Sequence, residues 1–141
     1  MNSYQPVVRD DYQPIVTQDV LDLIASKSDE QRANREMSKD VVDALKACGF
    51  YRMMLPKKWN GLESRPQEFF REQIRIAEAD MSTAWASGII AIHAFQVAMM
   101  SEEAQEEVYK DDPNTLISSS YNPVGAKAEA CDGGFMLSGR W

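Results

Sequence analysis

The sequence predicts an α+β fold, an all-helical N-terminal domain followed by the first strands of a β-domain. Three observations predict it. Apolar residues recur at helical spacing through about the first 110 residues. The period changes at Asp111-Asp112-Pro113, and β-branched and small residues take over. Asp132-Gly133-Gly134 then forms a strong hairpin signal between two short runs. The expected division is an extended lead-in over 1–16, a helical domain over 17–112 and the start of a β-domain over 113–141.

Pro6, Pro14 and their polar neighbours mark a lead-in that packs little. Thr17 is a good N-cap for the first helix, and Asp19 suits its dipole. Val20, Leu23, Ile24 and Ala33 give that helix an apolar stripe fading near Met37. Ser38 caps a second helix with Val41, Val42, Ala44 and Leu45 on one face. Gly49 stands where a left-handed C-terminal cap is wanted. A short apolar run ends at Pro56, and Asn60-Gly61 is a turn signal in the polar loop that follows. Pro66 suits the first turn of a third helix. Its apolar face is expected from Phe69, Phe70, Gln73, Ile74, Ile76 and Ala77. Ser82 is expected to cap a fourth helix running to about Met100. That helix is apolar almost all round and so is expected to be central and buried. Ser101 caps a short acidic helix. Strands are expected over 115–121, 126–130 and 135–141. The sequence stops inside that sheet, with open edges, as a fragment of a longer protein would.

Composition narrows the function. Lys and Arg total 15 against 22 Asp and Glu, a net charge of -7. An acidic surface repels phosphate backbones, so nucleic acid is a poor partner. The most apolar stretch, 84–100, is slightly short for a membrane span and carries Ser87, His93 and Gln96. No signal peptide opens the chain, so a cytoplasmic location is expected. Two distant cysteines and a single histidine form no metal-ligand spacing, so no metal is expected. No Gly-rich phosphate loop follows a strand, which leaves a nicotinamide site unsupported. The acidic pairs Glu102-Glu103 and Glu106-Glu107 read as solvation and dipole pairing.

Four stretches carry a resemblance. The run Thr-Leu-Ile-Ser-Ser-Ser-Tyr-Asn-Pro-Val-Gly over 115–125 resembles the strand and turn that contact flavin in the acyl-CoA dehydrogenase superfamily. Asp-Gly-Gly-Phe-Met-Leu-Ser-Gly-Arg-Trp over 132–141 resembles the hairpin leading to that family's second flavin strand. ALKACGFYRMMLPKKWNGLE is similar to the close of its first helical pair, and IAEADMSTAWASGIIAIHAFQVAMM to its central helix. Within the superfamily the chain most resembles the oxygenase components of two-component flavin-dependent aromatic monooxygenases, hydroxyphenylacetate hydroxylase-like proteins. Dehydrogenases usually carry Thr-Glu-Pro where Tyr121-Asn122-Pro123 stands, and a Gly-Thr-Glu-Glu-Gln-Lys-like helix start where Ser101 stands.

The resemblance implies an acyl-CoA dehydrogenase-like helical domain and a truncated β-barrel domain. It implies reduced flavin, FMN or FAD, supplied by a separate reductase, with O2 and a small aromatic substrate. It also implies a homotetramer when the chain is whole. Ser118, Ser119, Ser120, Tyr121 and Trp141 become flavin-binding candidates, with Ser119 as the flavin-facing hydroxyl. A strand beside an isoalloxazine edge offers backbone N–H groups and small hydroxyls at a fixed rise. On the residues alone, three serines mark only a solvated edge strand, and Trp141 an ordinary strand aromatic.

His93 interrupts the apolar fourth helix. It reads either as a core histidine bonded to a backbone carbonyl or, by resemblance, as the catalytic residue. In the latter role it bonds a phenol oxygen and favours the more electron-rich phenolate. Trp85, Phe95 and the pairs Met53-Met54 and Met99-Met100 read as core packing. Two other functions stay open on the sequence: an acyl-CoA dehydrogenase using FAD, and a catalytically inactive helical interaction module.

Overall fold

The computed structural model describes residues 11–119 and 124–139. Five helices come first: α1 (Gln18–Asn34), α2 (Lys39–Ala47), α3 (Pro66–Ala79), α4 (Met81–Ala98) and α5 (Glu102–Tyr109). Two strands follow, β1 (Lys127–Cys131) and β2 (Gly134–Ser138).

Helix α1 starts after Thr17, whose side chain makes no capping bond. It ends three residues earlier than the apolar pattern predicts, because Arg35 turns left-handed at φ 57°. Leu21 and Ile24 are its buried apolar residues, while Ala33 is exposed. Helix α2 buries Val41 and Leu45, and Gly49 takes the left-handed conformation expected of it, φ 85°. The short apolar run becomes a 3-10 turn, Phe50–Arg52, that drives Phe50, Tyr51, Met53, Met54 and Leu55 into the core. Phe50 stacks on Phe69 of α3 with ring centroids 5.6 Å apart. Each such side chain contributes about 1.5–3 kcal/mol by leaving water.

The turn at Asn60-Gly61 is tight. Asn60 is left-handed at φ 58°, and a Cβ on Gly61 would sit 1.9 Å from the Leu55 carbonyl oxygen. Pro66 occupies the first turn of α3, and Glu68 accepts the Arg65 N–H at 2.9 Å.

The lead-in packs more than its composition predicts. Val16 is buried. Glu72 of α3 is fully buried and accepts the Tyr12 hydroxyl at 2.7 Å, the Val16 N–H at 3.1 Å and Arg75 at 2.9 Å. An ionised carboxylate can lie inside only when so supplied with donors. Burial, followed by the Glu72 hydrogen bond, raises the Tyr12 phenol above its usual range.

Asp80, not Ser82, caps α4. Its backbone is extended and its carboxylate accepts the Thr83 N–H at 2.7 Å. A carboxylate suits the positive end of a helix better than a hydroxyl. Ser28 donates to the other oxygen at 2.7 Å.

Helix α4 is not buried all round. Its inward face is built from small residues, Ala84, Ser87, Gly88, Ala91 and Ala94, which let α3 approach closely. Its large apolar residues Met81, Trp85, Ile89 and Phe95 are exposed, as is Met99 just past its end. On α3, Phe70 and Ile74 are exposed too. Met53 and Met54 are core residues, whereas Met99 and Met100 are not. Ser101 does cap α5, accepting the Ala104 N–H at 3.4 Å.

Residues 115–119 form no strand among the described residues, because no neighbouring chain pairs with them there. Strands β1 and β2 form the expected antiparallel hairpin, Lys127 opposite Ser138 and Cys131 opposite Gly134. Every residue of both strands is exposed.

Candidate functional site

The site is built where the segment after α5 returns along α4. Leu116 packs against the main core. Ile117 joins a second cluster with Leu55, Ala94, Val97 and Tyr109. Two residues on, the Ser119 hydroxyl lies 2.6 Å from Nε2 of His93. The inside–outside alternation expected there is not seen: the adjacent Leu116 and Ile117 are both half-buried, and Ser118 and Ser119 are both exposed.

His93 is 3% exposed. Its Nδ1 contacts the Ile89 carbonyl oxygen one turn earlier. A carbonyl only accepts, so Nδ1 carries the hydrogen. In the neutral ring Nε2 is then an acceptor, and the Ser119 hydroxyl donates to it. The carbonyl contact is the one expected of a core histidine. One nitrogen is held by a backbone carbonyl, and the other faces the chain that resembles a flavin-contacting strand.

The described partner of the Ser119 hydroxyl is the His93 imidazole. Ser118 is exposed. Ser120, Tyr121 and Trp141 lie outside the described residues. Thr115 N–H bonds the Asp112 carbonyl oxygen at 3.1 Å. Small side chains at Ser118 and Ser119 allow close approach.

The surroundings are held by polar side chains that composition alone does not single out. Buried Gln105 donates to the carbonyls of Ala98 and Met100 at 3.2 and 2.9 Å. It accepts the Trp59 indole N–H at 3.2 Å, fixing the end of α4 against α5. Gln31 donates to Thr83 at 2.9 Å and accepts the Ser38 N–H at 3.0 Å. Gln105 shares its face with Val108 and Tyr109, a signal that could have found it; Gln31, among Lys27, Ser28, Asn34 and Arg35, has none. Burial raises the Cys48 thiol above its usual range, leaving it protonated and inert. Among the described residues no group of three His, Cys, Asp or Glu could hold a metal ion. No described helix is long and apolar enough to cross a membrane.

No protein-family model matches the chain. Known proteins do. It is 40% identical over 107 residues to the flavin-dependent monooxygenase oxygenase subunit HsaA of Mycobacterium tuberculosis, covering 76% of this chain and 27% of that protein. It is 34% identical over 122 residues to the FADH(2)-dependent resorcinol hydroxylase oxygenase component of Rhizobium sp., covering 86% and 30%. The crystal structure of 3-HSA hydroxylase from Rhodococcus sp. RHA1 superposes with a TM-score of 0.86 at 32% identity, covering 92% of this chain and 34% of that one. The chain thus spans about a third of the length of the proteins it matches. By sequence and by fold it belongs with the oxygenase components of two-component flavin-dependent monooxygenases.

Proposed function

We propose that the whole protein hydroxylates a phenolic aromatic compound, using O2 and reduced flavin delivered by a separate reductase. The observation that carries this is the contact between His93 Nε2 and Ser119 Oγ at the junction of the helices and the following segment. When bound, reduced flavin supplies the electrons that activate O2 for insertion of one oxygen atom into the ring. The chain's own residues bind and orient. With Nδ1 tied to the Ile89 carbonyl, His93 offers Nε2 as an acceptor at a fixed position. A phenol hydroxyl can take the place of the Ser119 hydroxyl there, and its proton then passes toward the imidazole. The ring becomes electron-rich where oxygen must add. Ser119, released from Nε2, can donate to the phenolate oxygen. The amides of 116–119 and the small side chains of Ser118 and Ser119 supply one edge of the flavin cradle. By resemblance, Ser120, Tyr121 and Trp141 complete its near side.

Relatives support this reading through their names, which specify oxygenase subunits and hydroxylases of resorcinol and p-hydroxyphenylacetate. The homotetramer rests on resemblance to the family. The test is direct. The whole protein is mixed with NADH, a flavin reductase, flavin and a panel of phenols under air, and products are separated by chromatography. A product one oxygen atom heavier, dependent on every component, is expected. Dye reduction by acyl-CoA without a reductase, and no hydroxylation, would overturn the reading.

A further inference from the structure

The two stretches that meet at His93 are both without charge. Helix α4 carries no charged side chain from Met81 to Ala98, and neither does the segment 113–119. The elements packed on α4 add no uncommitted ion to them. Tyr109 of α5 packs with Ala94 and Val97, and burial raises its phenol above the usual range, so it stays neutral. In the 3-10 turn Tyr51 is likewise held neutral by burial, and Arg52 is engaged by the Asn60 carbonyl. The buried carboxylate of Glu72 on α3 is matched by Arg75. Helix α1 meets α4 through the neutral amide of Gln31 on Thr83. An anion entering beside His93 finds no uncommitted cation among these groups, and an unmatched charge in such surroundings is costly.

The occupant of Nε2 shows what that nitrogen selects. Nδ1 keeps its hydrogen on the Ile89 carbonyl, so the neutral ring presents Nε2 as an acceptor. What sits against it is an alcohol O–H, a neutral donor, 2.6 Å away. His93 is 3% exposed, so a ligand that displaces Ser119 must replace the bond it breaks. A neutral phenol brings the same kind of O–H. An aryl ether has none to give. A phenolate has none either, and its lone pairs face the lone pair of Nε2, so it enters only with a proton taken up from solvent.

We propose that this site takes its aromatic ligand as the un-ionised phenol, with one proton held between the ring oxygen and Nε2, and discriminates against ionised phenols and aryl ethers. The inference rests on the phenol-hydroxylating function and narrows it to one protonation state of the ligand. Equilibrium binding to the whole protein tests it, with reduced flavin present and O2 absent so that nothing turns over. Three small ring ligands are compared: phenol, its methyl ether anisole, and 4-nitrophenol, which ionises near neutral pH. Anisole binds about tenfold or more weaker than phenol, the worth of the hydrogen bond it cannot make. From about pH 6 to about pH 8.5 phenol stays un-ionised, so its dissociation constant reports any titration of the protein itself. Relative to phenol, 4-nitrophenol weakens by about tenfold per pH unit once ionised, because each binding event then takes up a proton. In His93→Phe, phenol and anisole bind within about threefold of each other. The comparisons on the wild-type protein need no variant, so they decide the matter even where His93→Phe fails to fold.

Nitrophenolate bound as tightly as its neutral form, anisole matching phenol, or a phenol preference that survives in folded His93→Phe overturns the proposal. Phenols hydroxylated under air yet bound equally well as anions sink this inference alone. Phenols bound with the expected selectivity but never hydroxylated sink the activity alone. Failure of all three ligands to bind removes both.

Discussion

The Ser119 hydroxyl lies 2.6 Å from Nε2 of His93, twenty-six residues earlier in the chain. This pairing joins the helical part to the segment after α5 at one imidazole whose other nitrogen is held by the Ile89 carbonyl. It fixes which ring nitrogen accepts, and hence what the site can do with a proton.

From that arrangement, His93→Phe in the whole protein lowers hydroxylated product per reduced flavin consumed by about a hundredfold, the usual worth of a positioned proton acceptor. Ser119→Ala costs about tenfold or less, the worth of one hydrogen bond. Product yield measured against NADH consumed checks both. Equal yields in all three proteins would remove His93 from the reaction.

Glu72 holds the lead-in. Glu72→Ala removes the acceptor of the Tyr12 hydroxyl and of the Val16 N–H, and leaves Arg75 with the Val16 carbonyl alone. Breaking a buried charge pair on one side costs about 3–5 kcal/mol. Urea unfolding is expected to show that loss, with protease cleavage appearing near residues 11–16. Unchanged stability would mean that the segment is not tied to α3.

Asp80→Ala removes the cap of α4 and the Ser28 bond, at a cost of about 1–2 kcal/mol. Burial pushes this carboxyl upward, but the Ser28 bond and the Thr83 amide outweigh it, and the net shift is downward. A carboxyl depressed in the folded state stabilises above its unfolded value and loses that contribution as pH falls through the folded one. The gap between wild type and Asp80→Ala is therefore expected to be full at neutral pH and to close below about pH 4. Unfolding curves from pH 7 to pH 3 check it.

Two glycines are expected to respond differently to alanine. At Gly61 the added Cβ meets a backbone oxygen, Leu55 O at 1.9 Å, which cannot withdraw without opening the turn. At Gly88 it meets the end of the Gln73 side chain, Nε2 at 1.8 Å, which can swing away at the loss of one bond to Ala84. Alanine also recovers up to about 1 kcal/mol of helix propensity at Gly88. Gly88→Ala is thus expected within about 1 kcal/mol of wild type, and Gly61→Ala to lose about 3 kcal/mol or more. Thermal unfolding of the two variants checks the order.

Much of this protein was determined by local sequence. Pro66, Gly49, Asn60-Gly61, Ser101 and Asp132-Gly133-Gly134 each act through their own backbone restrictions or hydrogen-bonding groups within a few residues. The number and order of helices and the hairpin followed from them. His93 and Ser119 were legible as separate candidates because a polar residue in an apolar helix and a serine run are visible one at a time.

Only the tertiary structure decided the rest. Which apolar residues of α3 and α4 are buried depends on which helix lies beside them, and small residues won the inward face because they allow close approach. Glu72 became an anchor, and Tyr12 and Val16 became packed, because donors some sixty positions apart converge on one carboxylate. Asp80 displaced Ser82 as the cap because Ser28 of another helix steadies it. Ser119, though exposed, reaches His93 because Leu116 and Ile117 are seated in two separate clusters on the way. Distances in space, set by packing, are not functions of distance along the chain.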